Sequence, residues 1–182
     1  FGLREVVDEI LLTLQPSFRR SGHEVVSLVP SGIELDSYPG ALGQVLTNLV
    51  QNAHIHGLEG MAHGRIEVGA EPLGSEVRLW VSDNGRGIPE ASQRHVFDPF
   101  YTTKLGQGGS GLGLPIVRNM VTGVLGGSIG FQNLAAGGVV FDVRVPLVAP
   151  ITPSAPATLM ARPQVVLMSA GELGSASTDT RA

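Results

Sequence analysis

Apolar positions along the first third of the chain recur mostly at helical spacing. Leu3, Val6, Val7, Ile10, Leu11 and Leu14 share one face of residues 3–20, which predicts an amphipathic helix ending between Pro16 and Arg20. Ala41, Leu42, Val45, Leu46, Leu49, Val50 and Ala53 form a broader stripe on a second helix, stopped by Gly57. A third helix is predicted over 112–125. Elsewhere the pattern is that of strands. His23–Val29 is short and β-branched, and Gly32–Leu35 reads as another extended piece before a turn at Asp36–Gly40. Residues 64–70 and 76–82 alternate as a hairpin joined through Pro72–Ser75; 127–133 and 138–146 form a second, across Leu134–Gly138. Regular pattern thins out between Asn84 and Gly111. Residues 148–182 turn to Pro, Ala, Ser and Thr and read as a linker or tail, expected to be disordered, with Gln164–Met168 a stray strand. The fold class is therefore α/β: over residues 1–147, a two-layer α/β sandwich, one mixed sheet of about five strands with three helices on one face. There is no internal repeat.

Composition narrows the chemistry. At 182 residues the chain matches the usual ~100–200 residues of one domain, enough for a core without metal or disulfide staples. The absence of cysteine excludes a disulfide framework, a thiolate zinc site, an iron–sulfur cluster and a cysteine nucleophile. Only 5% of residues are aromatic, while Gly (25) and Pro (12) are plentiful, which predicts many turns. No apolar run approaches the roughly 20 residues that span a bilayer, and no signal peptide opens the chain, so no membrane contact is expected of this stretch. A net charge of −4 argues against nucleic acid as a partner. Eleven arginines stand beside a single lysine, Lys104.

Four short stretches carry candidate chemistry. In Asn48-Leu-Val-Gln-Asn52 two carboxamides project from one helix face, and an amide oxygen is a hard neutral ligand suited to Mg²⁺ alongside phosphate oxygens and water. Solvated or capping asparagines are the plain alternative. Asp83-Asn-Gly-Arg-Gly87 follows an apolar strand. A carboxylate there can accept a hydrogen bond from the exocyclic amine of adenine and repel guanine, whose oxygen occupies that position; an ordinary Asp-Asn-Gly turn is the alternative. In Phe97-Asp-Pro-Phe-Tyr-Thr-Thr-Lys104 two aromatics bracket a proline and can anchor a loop, while Thr102, Thr103 and Lys104 offer hydroxyls and a positive charge to phosphates. A simple hydrophobic staple would look the same. Last, Gly106-Gln-Gly-Gly-Ser-Gly-Leu-Gly-Leu114 runs into the third helix, and its backbone N–H groups make an anion site. A dinucleotide-binding reading of these glycines fails, because no Asp or Glu lies between Asp98 and Asp142. The P-loop pattern also fails, since Lys104 precedes the glycines. The acid-free stretch, with Lys104 and Arg118 its only formal charges, suits a polyphosphate.

Together, in this order, the four stretches resemble the N, G1, F and G2 boxes of the GHKL ATP-binding fold, in the version found in two-component sensor histidine kinases. The resemblance spans roughly residues 1–147. It implies a sheet-and-helix sandwich that holds ATP between helices and a flexible lid, with ATP and Mg²⁺ as cofactors. Asn52 matches the Mg²⁺ ligand and Asn48 its partner near the phosphates; Asn48 and Lys104 match catalytic positions. Asp83 matches the adenine-binding carboxylate, with Gly85, Gly87 and Ile88 beside the base. Phe97 and Phe100 match lid anchors, and Thr102, Thr103 and Lys104 phosphate contacts. Gly109, Ser110, Gly111, Leu112, Gly113 and Leu114 match the triphosphate loop. Two positions depart from the family: Ile55 stands where many members carry Lys, and His56 where an aromatic ring often packs on adenine.

The hydrolase branch of the superfamily activates water with a Glu four residues before the Mg²⁺ asparagine. Here that position is Asn48, which cannot act as a general base. The kinase branch is therefore implied: a catalytic domain that transfers the γ-phosphate of ATP to a histidine on a dimerisation domain, for relay to a response regulator receiver domain. No phosphoacceptor is expected in this chain, since His23 lies only 29 residues before Asn52 and reads as a surface strand residue. His54 and His56 face different ways and are not expected to form a metal pair. The fragment is expected to be monomeric, its parent a homodimer, and its location cytoplasmic, with a parent that could be membrane-anchored. Two alternatives stay open: a degenerate kinase using nucleotide as a switch, and a protein-serine kinase of the anti-sigma-factor type.

Overall fold

The structure is a computed structural model, described over residues 1–101 and 111–151. Helix α1 (Leu3–Ser21) buries Leu3, Val7, Leu11 and Phe18, one per turn or two. It ends where Gly22 takes a left-handed conformation (φ 71°) and donates to the Arg19 carbonyl, a stop that glycine makes without a Cβ penalty. It runs through Pro16, beyond the earliest predicted end. Proline removes one helical hydrogen bond, and Leu12, whose carbonyl would have accepted it, lies on the exposed face.

Strand β1 (Glu24–Leu28) follows. The extended piece predicted at 32–35 makes only an isolated bridge, Gly2 to Glu34, and clasps Phe1 through paired bonds between Phe1 and Leu35. Helix α2 (Pro39–Asn52) starts with proline in its first turn, buries Leu42, Val45, Leu46, Leu49 and Val50, and widens into a π-helical turn, Ala53–Gly57. Strands β2 (Arg65–Leu73) and β3 (Glu76–Asp83) form the predicted hairpin, closed by Gly74 (φ 64°) and Ser75. A single turn, α3 (Glu90–Gln93), lies in the stretch where periodicity was lacking. Helix α4 (Gly113–Asn119) likewise widens into a π-helical turn, Met120–Val124, before the second hairpin, β4 (Ser128–Asn133) and β5 (Val139–Pro146).

The five strands form one mixed sheet in the order β1-β2-β3-β5-β4; β1 runs parallel to β2 and the other pairs are antiparallel. Ile66, Val68, Val77, Leu79, Val81, Phe141, Val143 and Val145 bury one face in a core shared with α1, α2 and α4. The opposite face carries Arg78, ion-paired with Glu71 and Asp142 and lying over Trp80. The two-layer sandwich predicted from the pattern is the fold observed. Val148 bridges Asp36, and the Asp36–Leu147 and Ala149–Asp36 backbone bonds hold this segment against the body, so the stretch read as a linker begins bound to it. Residues 152–182, including the strand expected at Gln164–Met168, lie outside the described residues.

Candidate functional site

A cavity of about 550 Å³ opens between α2 with its π-turn, the end of β3, α3 and the start of α4. Strand alternation explains its central group. Val77, Leu79 and Val81 point into the core, and Asp83 continues the same face, so a carboxylate arrives where the next apolar side chain would sit. Asp83 is 5% exposed. It accepts hydrogen bonds from the backbone N–H groups of Gly85, at 2.9 Å, and Val139. Burial still outweighs these donors and pushes its pKa above the ordinary carboxylate value.

The glycines around Asp83 serve backbone packing. A Cβ on Gly85 would stand 2.0 Å from the Gly57 carbonyl, and one on Gly57 would stand 2.8 Å from the Asp83 carboxyl. Gly138 (φ 90°) crosses so closely that its Cβ would lie 1.8 Å from the Asp83 carbonyl. The close approach expected at Gly85 is therefore to the π-turn. Gly87 (φ 72°) lines the cavity, and Ile88 donates to Asn133 Oδ1 at 2.9 Å. Gly57 looked in the sequence like a helix stop; its second task leaves no sequence signal, because only the fold brings it onto Asp83.

On the opposite wall Asn48 and Asn52 share a flank of α2 and line the cavity. Each has a buried side-chain nitrogen with no hydrogen-bond partner among the described residues. Such a nitrogen normally finds a partner when buried, so this wall has unmet polar capacity. Gly113 packs against Asn52, its missing Cβ 3.6 Å from both amide heteroatoms, and Gly111, Gly113 and Leu114 complete the wall.

Ile55 and His56 lie on the π-turn and line the cavity too. Arg86 ties this turn to the loop after β3: its backbone N–H reaches the Gly57 carbonyl at 3.3 Å, its Nε the His56 carbonyl at 3.1 Å, and its guanidinium pairs with Glu59. His54, on the far side of the same turn, is held below the ordinary imidazole pKa by burial and then by His23. His23 is half-buried against it, a correction to its reading as a surface strand residue. Tyr101, unremarked in the sequence, lines the cavity and donates to Ser92 Oγ at 2.8 Å.

The two lid aromatics differ. Phe97 packs on Phe131, ring centroids 6.1 Å apart, under the Arg118 guanidinium. The Phe100 side chain is 73% exposed. Its backbone, at a positive φ of 64°, donates to the Gly111 carbonyl at 2.9 Å and leaves no room for a Cβ on Gly111. Leu112 is at the surface. Thr102, Thr103, Lys104, Gly109 and Ser110 lie outside the described residues.

Comparison with known proteins agrees with the fold. The family model for histidine kinase-, DNA gyrase B- and HSP90-like ATPases matches residues 38–149. The chain is 35% identical over 157 residues to the sensor histidine kinase AruS of Pseudomonas aeruginosa, covering 81% of this chain and 15% of that protein. It is 35% identical over 153 residues to the C4-dicarboxylate transport sensor protein DctS of Rhodobacter capsulatus, covering 80% of this chain and 22% of that one. The chain thus spans less than a quarter of either relative. Among solved structures, the nucleotide-free catalytic domain of histidine kinase ThkA superposes with a TM-score of 0.73 at 32% identity, over 81% of this chain and 94% of that one. A second ThkA structure, in complex with the response regulator TrrA, superposes with a TM-score of 0.68 at 29% identity, over 81% of this chain and 41% of that one.

Proposed function

The chain belongs to the histidine kinase-, DNA gyrase B- and HSP90-like ATPase family, as an ATP-binding catalytic domain of the sensor histidine kinase type, and we propose that it phosphorylates a histidine on a dimerisation domain outside this chain. The observation that carries this reading is the polarity of the cavity: a buried carboxylate at one end and, at the other, two carboxamides whose buried nitrogens have no hydrogen-bond partner among the described residues. A carboxylate held by two backbone donors keeps free acceptor capacity for the exocyclic amine of adenine. The triphosphate then runs toward α2, where Asn48 and Asn52 supply donors and an amide oxygen. Gly87 and Ile88 flank the base, His56 stacks on it, and Phe97 fixes the base of the lid that Phe100 and Gly111 join by backbone.

The Asn52 carboxamide fits Mg²⁺, which takes a hard oxygen ligand and keeps phosphate oxygens and waters for the rest. Bound there, Mg²⁺ would supply charge neutralisation at the phosphates. In the transfer itself the imidazole nitrogen of the acceptor attacks the γ-phosphorus in line, the bond from the γ-phosphorus to its β-bridging oxygen breaks, and ADP leaves. The contribution of this chain is positioning and electrostatic stabilisation by Asn48, Lys104 and the backbone N–H groups of 109–114, including Ser110 and Leu112, with Thr102 and Thr103 beside them. We read 1–147 as the catalytic domain and 148–182 as a linker or tail. A response regulator receiver domain takes the phosphoryl group onward, and the setting is cytoplasmic. No helix among the described residues is long and apolar enough to cross a membrane.

Calorimetric titration with ATP, with and without Mg²⁺, tests the site beside Asp83→Asn and Asn52→Ala. Adding a dimerisation domain and labelled ATP tests the reaction: acid-labile, base-stable label on the added domain and none on this chain is the expected result. Acid-stable label would identify serine chemistry instead. A second reading, nucleotide binding as a switch without transfer, draws on Ile55, which puts a 40% exposed apolar side chain where a cation would meet phosphate; ATP binding with no transfer would select it.

A further inference from the structure

Asn84 is the one asparagine of the chain followed by glycine; Asn48, Asn52, Asn119 and Asn133 precede Leu, Ala, Met and Leu. In a flexible chain Asn-Gly is the pair most prone to lose its amide, because glycine leaves its backbone nitrogen unshielded. Here the glycine cannot be exchanged, since a Cβ on Gly85 would stand 2.0 Å from the Gly57 carbonyl. The fold therefore requires a reactive pair directly after the buried Asp83, with Asn84 itself exposed to water. The same surroundings immobilise it. The Asn84 side-chain oxygen accepts the Arg65 backbone N–H at 2.8 Å, and the Asn84 N–H donates to the Arg65 carbonyl at 3.2 Å, which extends the β2–β3 ladder by one residue. The Gly85 N–H donates to Asp83 Oδ1 at 2.9 Å. Backbone also closes in from β5: a Cβ on Gly138 would lie 3.0 Å from Asn84 Cα, and one on Gly137 3.3 Å from the Gly85 carbonyl oxygen.

We propose that Asn84 is a deamidation site gated by the fold, shut while the end of β3 is paired and reactive when that end opens. In the reaction the Gly85 nitrogen loses its proton and bonds to Asn84 Cγ, and the side-chain amide leaves as ammonia. Water then opens the resulting succinimide, at one carbonyl to aspartate and at the other to isoaspartate. Three contacts oppose ring closure. The Asp83 carboxylate holds the proton that must leave, and the Arg65 N–H holds the Asn84 side chain along the ladder. Closing the ring also turns the Asn84–Gly85 peptide toward backbone that has no spare room, at Gly57 and Gly137. Breaking these contacts takes a local opening of the strand end, not unfolding of the whole domain. Isoaspartate would add one carbon to the main chain between Asp83 and Gly85, so the lesion would fall on the most closely packed end of the cavity.

The full chain, nucleotide-free, is incubated at mildly alkaline pH either folded or in urea. Trypsin, cutting after Arg78 and Arg86, then releases residues 79–86. Mass spectrometry reads the gain in mass as amide becomes acid, and chromatography separates the isoaspartyl peptide. In urea the 79–86 peptide should convert before any peptide carrying Asn48, Asn52, Asn119 or Asn133. In the folded chain conversion at Asn84 should be slower by about tenfold or more, a ratio set by how seldom the strand end opens. Asp83→Ala removes the acceptor of the Gly85 N–H. Folded, it should react severalfold faster than folded wild type, each rate taken relative to the same chain in urea. Should that variant unfold, the wild-type comparison decides alone. Equal rates in the folded and unfolded wild type would overturn the inference. So would another asparagine reacting first in urea, or a folded Asp83→Ala chain no faster than wild type.

Discussion

At one end of the cavity the Asp83 carboxylate is met by backbone donors from Gly85 and Val139, while at the other the side-chain nitrogens of Asn48 and Asn52 are buried without partners among the described residues. The first end is built from two close backbone crossings, Gly85 on the Gly57 carbonyl and Gly138 on the Asp83 carbonyl, with Gly57 itself packed on the Asp83 carboxyl, each too close for a Cβ. The second is built from flexible side chains on a helix flank. The contrast assigns them different work. The Asp83 end is rigid before any ligand arrives and suits selection of the base, whereas the asparagine end is completed by what binds.

The largest effect should come from removing the charge at the rigid end. Asp83→Asn is expected to weaken ATP by about 10–150-fold, the loss of one charge-assisted hydrogen bond, read by calorimetry at pH 7. Stability should move the other way. Because the folded pKa of Asp83 is raised above 3.8, its contribution to stability is full below that ordinary value and is lost as pH rises through the raised one. Melting of the ligand-free domain should therefore show wild type losing stability relative to Asp83→Asn across that rise. A wild type that instead gains stability relative to the variant as pH rises would show that the two backbone donors outweigh burial.

Next in size, Gly85→Ala forces a methyl group against the Gly57 carbonyl, and a loss of about 1–3 kcal/mol in urea denaturation is expected. An unchanged midpoint would mean that the π-turn yields, and the rigid end would not be rigid. Asn52→Ala tests the opposite end: ATP about fivefold weaker in Mg²⁺ and unchanged without it, with ligand-free stability unaltered or improved because an unpartnered polar group has gone. Smallest is Arg86→Met. Its pairing with Glu59 is exposed, and such pairs contribute about 0–1 kcal/mol, so the ATP dissociation constant should shift less than about fivefold.

The same contrast separates what the sequence could disclose. Helix stripes and strand alternation specify α1, α2 and the two hairpins, because burial on one face imposes the period directly. Asp83 is legible as a carboxylate interrupting an apolar alternation, and Asn48 with Asn52 as one helix flank. What escaped detection depends on residues far apart in sequence. Gly85 was read as leaving room for a ligand and instead leaves room for Gly57. His23 was read as a surface residue because nothing local announces His54, 31 positions later. Phe100 looked like an anchor by analogy with Phe97, but a positive φ turns its side chain to solvent and its backbone to Gly111. The π-helical turns after α2 and α4 carry no pattern distinguishable from an α-helix over five residues.

The short segment that clasps Phe1 through Leu35 and residues 147–149 through Asp36 has a mechanical meaning. Tension applied between the first residue and residue 149 enters and leaves the body within two neighbouring positions. The load would fall on those few backbone bonds, immediately ahead of Pro39, and would bypass the sheet and the cavity. Pulled this way, the domain should yield first at the clasp, and only then would the load pass to the start of α1 and the end of β5.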